Sequence, residues 1–214
     1  MSVRLPNGAT LAIVSTYGTS AVMSAVTNAS PGHATLAGGH GITTGEYMEV
    51  TSGWPKLNGR IVKAGTVATN DVPLTGIDTT DVNKYPVAGG TGSVRGVTAF
   101  QTITQILDLA TSGGAQQFAT YEFLDSDDQF QIPTVRSPLS LLFHIADDTS
   151  LPHYALIAAA SDDRQQRALL LTLPGGSIIT YNAYVTLNTT PSLTKGNIMA
   201  LEVTASLLAL PVRY

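Results

Sequence analysis

Two stretches near the end of the chain alternate apolar and polar side chains, and a period of two leaves little room for anything but β-structure. In 177–188, Ile179, Tyr181, Ala183, Val185 and Leu187 share one face, while Thr180, Asn182, Thr186 and Asn188 share the other with Tyr184. In 197–207, Met199, Leu201, Val203, Ala205 and Leu207 point one way and Glu202, Thr204 and Ser206 the other. Leu139, Leu141, Phe143 and Ile145 make a similar face, as do Leu169, Leu171 and Leu173. Pro174-Gly175-Gly176 joins the latter run to 177–188. Proline presets φ and glycine supplies positive φ, so this is a hairpin connection. The stretch 97–109 is ambiguous, its β-branched residues favouring a strand. One helix is predicted over 151–160, capped by Ser150 with Pro152 in its first turn and Asp147 and Asp148 near its positive end. Its packing stripe would be Leu151, Tyr154, Ala155 and Ala158.

The first half has a different texture. After a short apolar run at 9–14, residues 20–95 are dense in Gly, Thr, Ser and Asn, with short apolar runs between turn signals. That spacing predicts a small all-β module with strands at 21–27, 33–36, 47–51, 60–67 and 72–74. Asn58-Gly59 marks a tight turn, and Gly89-Gly90-Thr91-Gly92 reads as an exit linker. The expected architecture is an antiparallel β-sandwich or barrel with one flanking helix, formed by 1–19 and 96–214. A small β-barrel, 20–95, is inserted in it.

Charge narrows the function. Charged residues are only 12% of the chain, below the ~25–35% usual for a monomer's surface, which points to surface hidden in an assembly. The net charge is −4. Residues 20–95 hold five basic and five acidic residues, leaving six basic and ten acidic for the remainder, which carries the whole excess. A tight nucleic-acid binder needs a basic stripe, and none is present. There is no cysteine, which excludes disulfides, zinc–thiolate sites and thiol catalysis. His33, His40, His144 and His153 have no metal-motif spacing, with turn or surface roles expected for the first two and solvated or exposed positions for the others. Asp127-Asp128 and Asp147-Asp148 lack the further ligands of a calcium loop, and no nucleophile elbow or phosphate loop occurs. No catalytic residue, metal or cofactor is implied. Met1–Gly8 lacks the features of a signal peptide, and no apolar run reaches the ~20 residues of a membrane span, so a product made in the host cytoplasm is expected.

Several stretches taken in order carry a resemblance. These are Phe100-Gln101-Thr102-Ile103 with Asp108, Gly113-Gly114, and Tyr121-Glu122-Phe123-Leu124-Asp125-Ser126-Asp127. Then come Ile132-Pro133 with Arg136-Ser137, a helix after Asp147-Asp148, Leu173-Pro174-Gly175-Gly176, and Pro211-Val212-Arg213-Tyr214. From Val97 to Tyr214 the chain resembles the tail tube (major tail) proteins of long-tailed phages, the siphophages. Residues 21–95 are similar to a small β-barrel often inserted in phage tail proteins, related in fold to the first catalytic cysteine half-domain of ubiquitin-activating enzymes. The stretches that carry this are Val26-Thr27-Asn28-Ala29, His40-Gly41 with Gly45, Leu57-Asn58-Gly59-Arg60 and Leu74-Thr75-Gly76-Ile77-Asp78-Thr79-Thr80. Glu46 stands where that module usually has Asp.

The resemblance implies a structural virion protein: subunits in hexameric rings, stacked into a tube that conducts DNA, with tape-measure, tail-tip and tail-terminator proteins as further partners. It implies no membrane partner and no tight DNA binding. Glu122 and Glu202, on polar strand faces, are expected to face the lumen or else plain solvent. Asp125, Asp127, Asp128, Phe130, Ile132 and Arg136, in and after an acidic loop at 125–133, are expected to meet a neighbouring subunit or ring. The charge-poor strands 177–188 and 197–207 are expected to be the open edges. The alternative is a minor tail or adhesion-type module binding host-surface glycan through Trp54 and Tyr47.

Overall fold

The structure, a computed structural model, describes residues 7–214. The expectation about Met1–Gly8 therefore lies mostly outside the described residues. In chain order the elements are β1 (Thr10–Val26), β2 (His33–Leu36), β3 (Tyr47–Ser52), β4 (Arg60–Ala64), β5 (Asp71–Thr75), β6 (Gly92–Ile103), β7 (Ile106–Gly113), β8 (Gln116–Glu122), β9 (Gln129–Arg136) and β10 (Leu139–Ala146). They continue with α1 (Pro152–Asp163), β11 (Gln166–Thr172), β12 (Ile178–Leu187), β13 (Ala200–Leu207) and β14 (Val212–Arg213). The fold is mainly β with one helix and antiparallel pairing, as the alternation predicts.

Two apolar cores organise it. In the first half, β2 pairs β5, β5 pairs β4, β4 pairs β3, β3 pairs β6, β6 pairs β1 and β1 pairs β2 again. This circuit is a closed barrel, which removes every free strand edge. Met23, Leu36, Met48, Leu57, Val62 and Leu74 fill it. Trp54 is buried in it edge-on to Tyr85, 5.2 Å between ring centres, and its Nε1 donates to the Pro86 carbonyl at 2.8 Å.

The second core lies under a sheet ordered β6-β1-β11-β12-β13-β10-β7, here called the body. Leu11, Ile13, Leu141, Phe143, Leu169, Val185 and Val203 are among its buried residues. Helix α1 packs mainly on β12, and β14 pairs with β12. Pro174, Gly175 and Gly176 turn β11 into β12 as expected, both glycines at positive φ.

The strands shared by the two cores depart from expectation. The runs at 9–14 and 21–27 are one strand, β1, because register shifts between Val14 and Ser20 absorb the polar interval Thr16–Thr19. The expected linker leads straight into β6 at Gly92, and β6 runs unbroken from barrel to body. A Cβ at Gly92 would lie 2.0 Å from the Thr51 carbonyl oxygen, so glycine is there for close backbone approach. The ambiguous stretch 97–109 is the end of β6 and the start of β7, broken at Thr104-Gln105 where Gln105 takes φ 58. Asn58-Gly59 closes a longer loop between β3 and β4, with Asn58 Oδ1 accepting from Ser52 N at 3.1 Å.

The helix also differs. Its N-cap is Leu151, not Ser150, whose hydroxyl turns back to Asp148 at 2.6 Å. The buried line is His153, Ile157 and Ala160, while Ala155 is exposed. Leu156, Ile157, Ala158, Ala159 and Ala160 are apolar on every side, so periodicity alone cannot choose a stripe; packing on β12 chooses it.

Candidate assembly surfaces

The junction of barrel and body is built on a buried carboxylate. Glu49 on β3 is 2% exposed. Its neighbours on the strand, Met48 and Val50, point into the barrel, so period two turns Glu49 outward, onto the body. There Arg95 Nε donates to Oε2 at 2.6 Å, and Gln166 Nε2 and Asn182 Nδ2 donate to Oε1 at 2.5 and 3.1 Å. Arg95 also sits over the Tyr17 ring, 3.9 Å from its centre. Burial, reinforced by the charge of Glu49, pushes the Tyr17 phenol up to about 12, so its hydroxyl stays neutral and accepts from Ala168 N at 2.9 Å. Thr180 Oγ1 donates to the Ile61 carbonyl at 2.8 Å, and Asn182 Nδ2 reaches the Gly59 carbonyl at 3.0 Å. The polar side chains of the first half of β12 are therefore buried under the barrel. Sequence alternation read them as exposed and missed this network, since nothing local tells which polar face another unit covers.

Past that contact the same face is open. Across β7, β10 and β13 it presents Asp108, His144 and Glu202 in one row, then Ala110, Leu142 and Thr204, then Ser112, Ser140 and Ser206. His144 Nδ1 lies 2.7 Å from Asp108, and its Nε2 lies 3.8 Å from Glu202. His144 is thus half-exposed and paired with carboxylates. The strands β7, β10, β12 and β13 contain no lysine or arginine.

The expected open edges are not edges. β12 lies between β11 and β13, and β13 between β12 and β10. They are poor in charge because they are central strands of the sheet. Among the described residues the body sheet has two open margins: β7, whose only partner is β10, and residues 98–103 of β6, which beyond the barrel pair with β1 alone.

Between β7 and β10 the chain leaves the body as a separate hairpin, β8 paired with β9, exposed along both strands. The loop is shorter than expected, at 123–128, so Phe130, Ile132 and Arg136 lie on β9. Ala119, Tyr121, Phe130 and Ile132 share one face, with Tyr121 stacked on Phe130 at 5.6 Å and Phe123 against both. The other face carries Phe118 and Pro133 toward the base, then Thr120, Gln131 and Glu122, which accepts from Gln129 at 2.8 Å. Glu122 is therefore in a different sheet from Glu202. Asp125, Asp127 and Asp128 are exposed at the tip, and Arg136 sits at the base beside Gln116.

The aromatic residues considered for glycan do not form a platform. Trp54 is 1% exposed, and Tyr47 is half-buried against Phe100 and Tyr214. His33 and His40 bond Asp71 and the Thr69 carbonyl, each at 2.8 Å. His153 is buried instead of solvated, and burial holds its imidazole below the usual histidine range against the opposing pull of Asp148. Among the described residues no cluster of His, Asp and Glu has the arrangement of a metal site, and no helix is long and apolar enough to cross a membrane.

The family model for phage tail tube proteins matches residues 52–214. The chain belongs to the phage tail tube protein family. It is a structural component of a phage tail, and the match takes in the second half of the barrel as well as nearly all of the body. Among solved structures, a chain of the virion of a native gene transfer agent particle is similar at 10% identity and a TM-score of 0.42, covering 54% of this chain and 88% of that one. No curated protein matches the sequence.

Proposed function

We propose that this tail tube family member forms hexameric rings that stack into a siphophage tail tube, through which DNA passes to the host. The observation that carries the reading is the open face of β7, β10 and β13. It bears carboxylates, hydroxyls and one histidine set between two of the carboxylates, and no lysine or arginine. A lining of that kind releases no counterions from DNA and so does not hold it. On this reading Glu202 faces the bore. Ring closure uses the margin of β7, since an unpaired strand is a template for pairing with another chain. The hairpin β8–β9 supplies the contacts between copies, with Asp125, Asp127, Asp128, Phe130, Ile132 and Arg136 in or near them. Glu122, on the hairpin's polar side, belongs to those contacts or to solvent. The barrel, closed on itself, lies outside the tube wall. The protein does no catalysis, is made in the host cytoplasm, and works with tape-measure, tail-tip and tail-terminator proteins.

Negative-stain microscopy of the concentrated protein tests this, with hollow tubes or six-fold rings expected. A protein that stays monomeric at every concentration, and is present at only a few copies per virion, overturns it.

A further inference from the structure

The two ends of the body are complementary. The hairpin leaves one end, where Leu139 pairs with Gly113. At the other end of β10, Ala146 pairs with Ala200 and Ile145 with Ile106. Beside that second end lies the long β12–β13 connection, residues 188–199. Eight residues of β10 separate the two ends, about 25 Å of strand. The hairpin therefore does not meet this connection within one molecule.

The connection exposes Leu193, Ile198 and Met199, at 77%, 66% and 49%. With Leu107, Asp108 and His144 it borders a groove of about 520 Å³. Lys195 is exposed on the connection and is the sole basic residue between Arg167 and Arg213. No carboxylate among the described residues pairs with Lys195, whereas Asp108 is taken by His144 and Asp148 by Ser150. The hairpin offers the converse: an apolar face of Tyr121, Phe123, Phe130 and Ile132, ending in Asp125, Asp127 and Asp128.

We infer that the hairpin of one copy docks on the 188–199 connection of another, its aromatic face on Leu193 and Ile198 and its acidic tip on Lys195. The occupant is a second copy of this chain because each surface supplies what the other lacks in charge and in apolar contact. Joining unlike ends of identical molecules gives a head-to-tail contact, which runs on as an open stack wherever its rotation does not close a ring. The inference rests on the tube reading and names the acceptor surface within it.

The chain has no cysteine of its own, which makes the test clean. Asp127→Cys and Lys195→Cys are prepared as single variants, mixed, assembled and oxidised. The mixture is expected to yield disulfide-linked pairs containing one of each, while neither variant alone does. Lys195→Glu is expected to raise the concentration needed for tubes at least tenfold with an unchanged melting temperature, and Asp127→Lys in the same chain to restore assembly. Tubes that form normally without mixed crosslinks, and that ignore Lys195→Glu, overturn the docking and leave the tube reading standing. Absence of tubes from the unaltered protein overturns both.

Discussion

The barrel and the body solve the problem of strand edges in opposite ways. The barrel pairs every strand on both sides and buries its single tryptophan. The body leaves β7 at one margin and residues 98–103 of β6 at the other paired on one side only, and sends out a hairpin whose aromatic face covers nothing of its own chain. A two-stranded hairpin is marginal alone in water, so β8 and β9 are a part awaiting a counterpart. The barrel closes all its edges within one chain, and the body leaves margins and an apolar hairpin face open.

The sharpest way to break this contrast is to remove the hairpin. Gly113 and Leu139 are already cross-strand partners, so an Asn-Gly turn can replace residues 114–138 and close β7 onto β10. Tubes should vanish altogether under the microscope, while denaturant unfolding shifts by no more than about 1 kcal/mol, the scale of losing a marginal hairpin. Tubes from the shortened chain would mean that the margin of β7 suffices.

The next effect belongs to the joint. Glu49→Ala leaves Arg95 without its partner and strips the half-buried amide of Gln166 and the buried amide of Asn182 of an acceptor. Breaking a buried pair from one side costs about 3–5 kcal/mol, and the partial exposure of Arg95 puts this case at the lower end. A loss of that size in denaturant unfolding is expected, and a change under about 1 kcal/mol would show the two units barely coupled.

A smaller effect is confined to the barrel. Thr79 is fully buried, its Oγ1 2.7 Å from the Thr27 carbonyl, 2.9 Å from that of Ala29, and accepting from Ala29 N at 3.1 Å. Thr79→Val should cost about 1–3 kcal/mol by leaving buried groups unpaired. Tube yield below the lowered melting point should not change. Lost assembly at that temperature would show that the barrel takes part in it.

The mildest is a pH effect in the body. His153 is held neutral by burial, so its folded-state value lies below the unfolded one of about 6.5. Below that pH the unfolded chain takes up a proton that the native chain refuses, and stability falls by at most about 1.4 kcal/mol per pH unit until the folded value is reached. His153→Gln should flatten this part of the stability–pH curve; an unaltered slope would assign it to other groups.

What could be read from the chain followed its periodicities. Residues 177–188 and 200–207 announce their strands because one side of each faces a core, and Pro174-Gly175-Gly176 announces the turn from β11 into β12; Met199, expected on the inward face, is instead exposed in the connection before β13. The barrel strands were visible through their punctuation. What failed depended on what lies across the gap. Thr180 and Asn182 look like solvent-facing residues until the barrel covers them. Glu49 looks like any outward carboxylate until three partners converge on it. Low charge in β12 and β13 was mistaken for a sticky margin when it signals an interior place in the sheet. The hairpin's amphipathic character was legible in Tyr121, Phe130 and Ile132, but its separation from the body was not, since sequence shows which face is apolar and not whether anything is there to meet it.

The continuity of β1 and β6 has a practical meaning for anyone who would decorate such a particle. Cutting near 19 or 95 to exchange one unit for another severs two paired strands in mid-run. A foreign epitope belongs at the exposed 38–41 turn, where Gly39 and Gly41 already hold left-handed backbone. A load placed there would be carried on a stiff stalk instead of a tether, with its direction set by the subunit beneath.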